Sequence, residues 1–148
     1  MLKSLFSPIK INSIELRNRI ALSPMGIGSY NEDETITEDY IDFVKARSIE
    51  TGLVITTGTR VTERYGKYKL NGCYDDRFIP NFKKLTKEVH KNGAKIFLQL
   101  MSLGPADPVE PFVPSINIAE YKGVDNRDIK PQELTVEQIE EIIDEFIK

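Results

Sequence analysis

The order of apolar runs along this 148-residue chain predicts an α/β fold built on a parallel sheet. Three observations carry that expectation. The runs "RIALS", "GLVIT" and "AKIFLQL" are apolar on both faces, as interior strands of a parallel sheet are. Between them lie segments whose apolar residues recur at helical spacing, and strands alternating with helices of these lengths imply right-handed crossovers. Ahead of the first run, "PIKINSIELRNRI" places short β-prone stretches around Asn12-Ser13, which reads as a small hairpin.

The elements follow in order. Thr37 is placed to cap the first helix, whose opening turn carries Glu38 and Asp39 against the positive end of the helix dipole. Tyr40, Phe43, Val44 and Arg47 share one face of it, with Ile41 beside them. The strand "GLVIT" is followed by a loop from Thr56 to Tyr74. Asp75 or Asp76 then caps a second helix with a stripe of Phe78, Phe82, Leu85 and Val89, closed by Gly93 at its C-terminal turn. After the third strand the segment from Met101 to Pro131 is rich in proline and lacks a period, so a long loop is expected, and such loops are usually functional or disordered. Thr135 and Gln138 form a capping box at the start of the last helix, in which Ile139, Ile142, Ile143 and Phe146 line one face.

Composition excludes several classes. A net charge of −3 gives no basic footprint for nucleic acid or an anionic membrane. With Cys73 as the single cysteine, no internal disulfide and no Cys-based metal site are expected, and a reducing, cytoplasmic location follows. "MLKSLFSPIK" lacks the apolar core of a signal peptide, and no apolar run approaches a membrane span.

In parallel α/β folds, ligands gather at the carboxyl ends of the strands. Here those ends carry Ser23, Pro24, Met25 and Gly26; then Thr56, Thr57, Gly58 and Thr59; then Gln99 after "IFL", expected to be buried. Pro24 has no N–H for a ladder, and the glycines let backbone approach something flat or bulky. A buried Gln99 amide needs partners for both its donor and its acceptor groups. Taken singly, each feature has an ordinary structural explanation. At corresponding ends of successive strands, they point together to a ligand.

The blocks "LFSPIKINSIELRNRIALSPMG", "GLVITTGTRV", "YDDRFIPNFKKLTKEVHKNGAKIFLQL" and "ELTVEQIEEIIDEF" resemble the old yellow enzyme family. Within it, they resemble the NADH:flavin oxidoreductase and enoate or dienoyl reductase branch. The resemblance runs from Leu5 to Lys148 and implies the N-terminal part of a (β/α)8 TIM barrel with a short N-terminal β-hairpin, the chain ending after the third barrel helix begins. Residues 1–148 then read as one partial FMN-binding domain. The resemblance implies FMN as cofactor, NADH or NADPH as hydride donor, and a small α,β-unsaturated carbonyl compound whose C=C bond is reduced. It also implies that Ser23, Pro24, Met25 and Gly26 pack against the flavin ring, while the Gly58 backbone and the Gln99 amide meet the flavin pyrimidine edge.

The chain departs from that pattern in places. Some relatives have a cysteine at the position of Gly26 and a tyrosine at that of Gly28, and many read "QL-H-GR" where this chain has "QLMSLGP", so Pro105 stands in place of an arginine. The family's substrate-binding His/His or His/Asn pair and its phosphate loops belong to later strands, so no catalytic residue and no metal ligand is assigned here. The chain alone is expected to be inactive, and an open partial barrel is expected to self-associate into a homo-oligomer. His90 reads as a solvated helix-end residue, and "NEDET" and "EQIEEIIDE" read as surfaces. Arg60, Arg64, Lys67 and Lys69, interleaved with Tyr65 and Tyr68, read as a basic loop on the substrate side.

Overall fold

The computed structural model describes residues 4–66, 68–104, 107, 109–115 and 130–147. Lys67, Pro105, Lys148 and much of the proline-rich segment lie outside the described residues. Strands β1 (Ile9–Ile11) and β2 (Ile14–Leu16) pair antiparallel around Asn12, whose φ of 49° makes the turn of the expected hairpin. Then come β3 (Ala21–Leu22), α1 (Glu38–Arg47), β4 (Leu53–Arg60), a 3-10 turn (Asp76–Phe78), α2 (Ile79–Lys91) and β5 (Lys95–Met101). Strands β6 (Phe112–Val113) and β7 (Gln132–Glu133) form a separate parallel pair, and α3 (Val136–Ile147) follows. β6 stands inside the segment from Met101 to Pro131 that was expected to be a loop, and β7 lies just after it.

The main sheet is parallel in the order β3-β4-β5, as alternating strands and helices imply. Thr37 caps α1 through its hydroxyl, which accepts from Tyr40 N at 3.1 Å, and Asp75 caps the 3-10 turn ahead of α2. Gly93, at φ 79°, takes the left-handed conformation that ends α2. The core forms where α1 and α2 lie against the sheet: Tyr40, Ile41 and Val44 meet Val54, Leu85, Val89 and Ala94. Half-buried Phe43 carries the guanidinium of exposed Arg47 3.5 Å above its ring, so the charged member of this face of α1 packs on the aromatic ring while staying in solvent.

Three expectations are corrected. β3 is shorter than "RIALS", with Ala21 exposed, because it pairs with β4 alone among the described strands. β4 does not stop at Thr56 but continues to Arg60, across a bulge described below. β5 is not buried: Phe97, Leu98 and Leu100 are 38%, 41% and 42% exposed, because β4 is its only neighbour among the described strands. The apolar stripe of α3 is similarly uncovered, with no residue of the helix buried, although the capping box at Thr135 and Gln138 forms as expected. A cleft of about 370 Å³ separates Phe146 of α3 from Leu98 and Leu100.

Leu85 is fully buried between the helices and the sheet. Leu85→Ala is expected to cost about 2–5 kcal/mol, through lost burial and the cavity left behind. Urea unfolding of the two proteins would read this as a lower midpoint at unchanged slope.

Candidate functional site

The register of β4 on β5 shapes the site. Ile55 faces Phe97 and Gly58 faces Gln99, so Thr56 and Thr57 together stand opposite Leu98. This is a β-bulge, and it turns the end of β4 so that Gly58 and Gln99 lie level. Two side chains hold it. Thr56 Oγ1 accepts from Gln99 N at 3.0 Å, and the Tyr40 hydroxyl accepts from Thr57 N at 2.8 Å. Burial pushes the Tyr40 phenol up from its ordinary value, so the hydroxyl stays neutral as an acceptor.

Above the bulge lies an open cleft of about 310 Å³, lined by Pro24, Gly26, Thr57, Gly58, Leu70, Gln99 and Met101. Five of the strand-end residues singled out from the sequence, Pro24, Gly26, Thr57, Gly58 and Gln99, thus meet around one space. Ser23 and Met25 do not line it; both are exposed, Met25 by 38%. Gln99 bonds through its backbone, and among the described residues nothing occupies its side-chain amide, which is exposed rather than buried. Gly58 has a further reason to lack a side chain: an added Cβ would fall 2.0 Å from Met101 Sδ. Met101 was not foreseen as a wall residue, although its place two residues after Gln99 puts it on the same side of β5.

A buried charge cluster braces the next wall. Arg60, 5% exposed, pairs with Glu34 at 2.8 Å and also donates to the carbonyls of Thr62, Gly66 and Tyr68. Glu34 Oε2 accepts from the Tyr74 hydroxyl at 2.5 Å. Burial, then the bond to Glu34, push the Tyr74 phenol up to about 12. Backbone bonds complete the brace: Arg60 N to Asn71 O, Gly72 N to Glu34 O and Cys73 N to Arg60 O. Gly66 is required where it stands, since its φ is 89° and an added Cβ would fall 2.4 Å from Asp107 Oδ2. Buried Asp107 accepts from Tyr68 N, Val109 N and Glu110 N, tying this loop to the segment after β5.

These contacts correct two readings of the sequence. Arg60 does not offer its charge to a substrate from the expected basic loop, because four of its hydrogen bonds end on the chain's own oxygens. Glu34 is not a surface acid, because Arg60 draws it inward. Of the remaining basic residues, Arg64 pairs with Glu141 of α3 and Lys69 donates to Glu32 O. His90 is exposed at the end of α2, distant in the fold from the carboxyl ends of the strands. Cys73 is half-buried, and burial pushes its thiol up.

Pro24 and Gly26 after the first strand, a bulged second strand ending in Gly58, and Gln99 on the third make a site that can be compared with known proteins. The profile of the NADH:flavin oxidoreductase / NADH oxidase family matches residues 4–148. The chain belongs to that family. It is 33% identical to an NADH oxidase of Thermoanaerobacter brockii, over 97% of this chain and 23% of that protein. It is 35% identical to a probable NADH-dependent flavin oxidoreductase of Bacillus subtilis, over 97% of this chain and 39% of that protein. The crystal structure of Old Yellow Enzyme from Pichia sp. AKU4542 superimposes with a TM-score of 0.81 and 31% identity, over 97% of this chain and 41% of that one. The chain therefore spans between about a quarter and two fifths of these relatives, and its fold is that of a partial α/β barrel.

Within this NADH:flavin oxidoreductase family member, the brace around Arg60 supplies two predictions. Arg60→Met leaves Glu34 charged and buried without its partner, and is expected to destabilise the fold by about 3–5 kcal/mol, read by chemical denaturation. Tyr74 holds its proton to about pH 12 when folded, against an ordinary value of 10.0. A raised folded value supports the fold below the unfolded one and withdraws that support as pH rises through the folded one. Melting temperature is therefore expected to fall between about pH 10 and 12, and Tyr74→Phe to flatten part of that fall.

Proposed function

We propose that this chain contributes an FMN site to an oxidoreductase that takes hydride from NADH or NADPH and reduces the C=C bond of α,β-unsaturated carbonyl compounds. The observation that carries the reading is the meeting of Gly58 and Gln99 around one open cleft, with Pro24 and Gly26 on its other side. The residues present fit the group. A ring system needs a flat approach, and at Gly26 and Gly58 the chain presents backbone to the cleft with no side chain of its own. The flavin pyrimidine edge carries both donors and acceptors, and a glutamine amide offers both.

In this reading Pro24 and Gly26, the two residues of the Ser23–Gly26 segment that line the cleft, pack against the ring, with Pro24 ending the ladder so that backbone turns toward the cleft. The Gly58 backbone and the Gln99 amide orient the pyrimidine edge, and donors there favour charge arriving on that edge. The bulge keeps both at one level, and Leu70 adds an apolar side chain to the lining. Bound in this cleft, FMN supplies the two-electron relay between nicotinamide and alkene. The residues that would bind the substrate carbonyl are not assigned to this chain.

The exposed apolar residues Phe97, Leu98 and Leu100 on β5 support a second reading. In it, the chain supplies only part of a flavin site, is catalytically incompetent alone, and self-associates through that edge.

Flavin fluorescence quenching tests the cofactor assignment. FMN is expected to bind, and Gln99→Ala to weaken it about 3- to 10-fold, the size of one lost neutral hydrogen bond. No binding, or binding indifferent to Gln99, would remove the proposed site. NADH or NADPH consumption with an enone then separates the two readings, since steady turnover by this chain alone would sink the second.

A further inference from the structure

Of the strand-end run Thr56-Thr57-Gly58-Thr59, only Thr57 and Gly58 line the cleft. Thr56 and Thr59 are buried, at 2% and 1% exposed, and do not line it. β propensity accounts for threonine in a strand, but not for what these two hydroxyls bond. A threonine hydroxyl has one proton to donate and lone pairs to accept with, and Thr56 commits both to backbone. Its Oγ1 donates to Thr57 O at 3.0 Å and accepts from Gln99 N at 3.0 Å. Thr59 Oγ1 donates to the same Thr57 O at 3.1 Å.

Thr57 O therefore accepts from two buried hydroxyls, while Thr57 N donates to the Tyr40 hydroxyl at 2.8 Å. A peptide group is planar, and the bond from Thr57 to Gly58 is trans. The Gly58 N–H thus points opposite to Thr57 O, and whatever pins that oxygen aims that N–H. Glycine accepts many backbone directions, so its own residue type does not set this one. Across the bulge, the Thr56 hydroxyl also holds the N–H of Gln99, the residue that faces Gly58. One buried oxygen therefore acts on both groups at the cleft.

We propose, resting on the FMN reading, that Thr56 and Thr59 are positioning residues of this site: their hydroxyls aim the Gly58 N–H, and Thr56 also sets the level of Gln99. Neither touches the ligand. The two threonines fix the relative placement of the backbone group and the side-chain amide that meet one edge of the flavin, and so act on affinity through Gly58 and Gln99.

Amide hydrogen exchange and FMN titration of the same variants test this. In the unsubstituted chain the Gln99 N–H is expected to be protected, and free exchange there overturns the proposal. Thr56→Val keeps the β-branched shape without the hydroxyl. It is expected to speed Gln99 exchange and to weaken FMN by about 3- to 10-fold, the size of one lost neutral hydrogen bond, while Thr56→Ser restores both. Added to Gln99→Ala, Thr56→Val is expected to cost less than the product of the two separate losses, because one acts in part through the other. A full product, an unchanged Gln99 exchange rate or a serine variant as weak as the valine one overturns the role of Thr56. Thr59→Val leaves the Gln99 bond in place, so it is expected to weaken FMN with Gln99 exchange unchanged, and an undiminished affinity overturns the role of Thr59. If the unsubstituted chain binds no FMN, the flavin reading fails, and the Gln99 exchange rates still decide whether Thr56 positions that residue.

Discussion

Arg60 brings a full charge into the interior at the end of β4, and the surrounding loops are arranged around that fact. An unpaired buried charge is far costlier than any one loop contact, so the guanidinium has to be met on every side. Glu34 meets it from the loop before α1, and the carbonyls of Thr62, Gly66 and Tyr68 meet it from the loop after β4. Tyr74 then satisfies the second oxygen of Glu34. Segments far apart in the chain are pinned together by one side chain, and the wall of the cleft inherits its shape from them.

The bulge in β4 is the second constraint. A regular parallel ladder from Ile55 onward would shift the residue facing Gln99, and Gly58 would not stand beside it. Tyr40 makes the irregularity tolerable by accepting the Thr57 N–H that the ladder does not use. The tyrosine therefore belongs to the core by its ring and to the site by its hydroxyl. α1 is consequently more than a cover for the sheet.

The apolar surface left on β5 and α3 follows from topology. In a closed barrel each strand has a neighbour on both sides, whereas β5 pairs with β4 alone among the described strands. Phe97, Leu98 and Leu100 are consequently exposed despite a sequence that suits burial. Periodicity reports what a segment is suited to cover, and does not report whether a neighbour is there to cover it.

Much of the architecture was legible in the residues. Thr37, Asp75, Gly93 and the Thr135–Gln138 pair mark helix ends by local hydrogen-bond chemistry, which acts within a few residues and so can be read along the chain. The stripes of α1 and α2 and the parallel order of the sheet follow from spacing, and Pro24, Gly26, Gly58 and Gln99 could be placed together because strand ends share one side of such a sheet. What the sequence alone could not decide is long-range. The partnership of Glu34 with Arg60, the bulge pinned by Tyr40, the place of Met101 beside Gly58 and the bond between Thr56 and Gln99 all join residues far apart in the chain. Each depends on distances that exist only once the sheet and helices have packed.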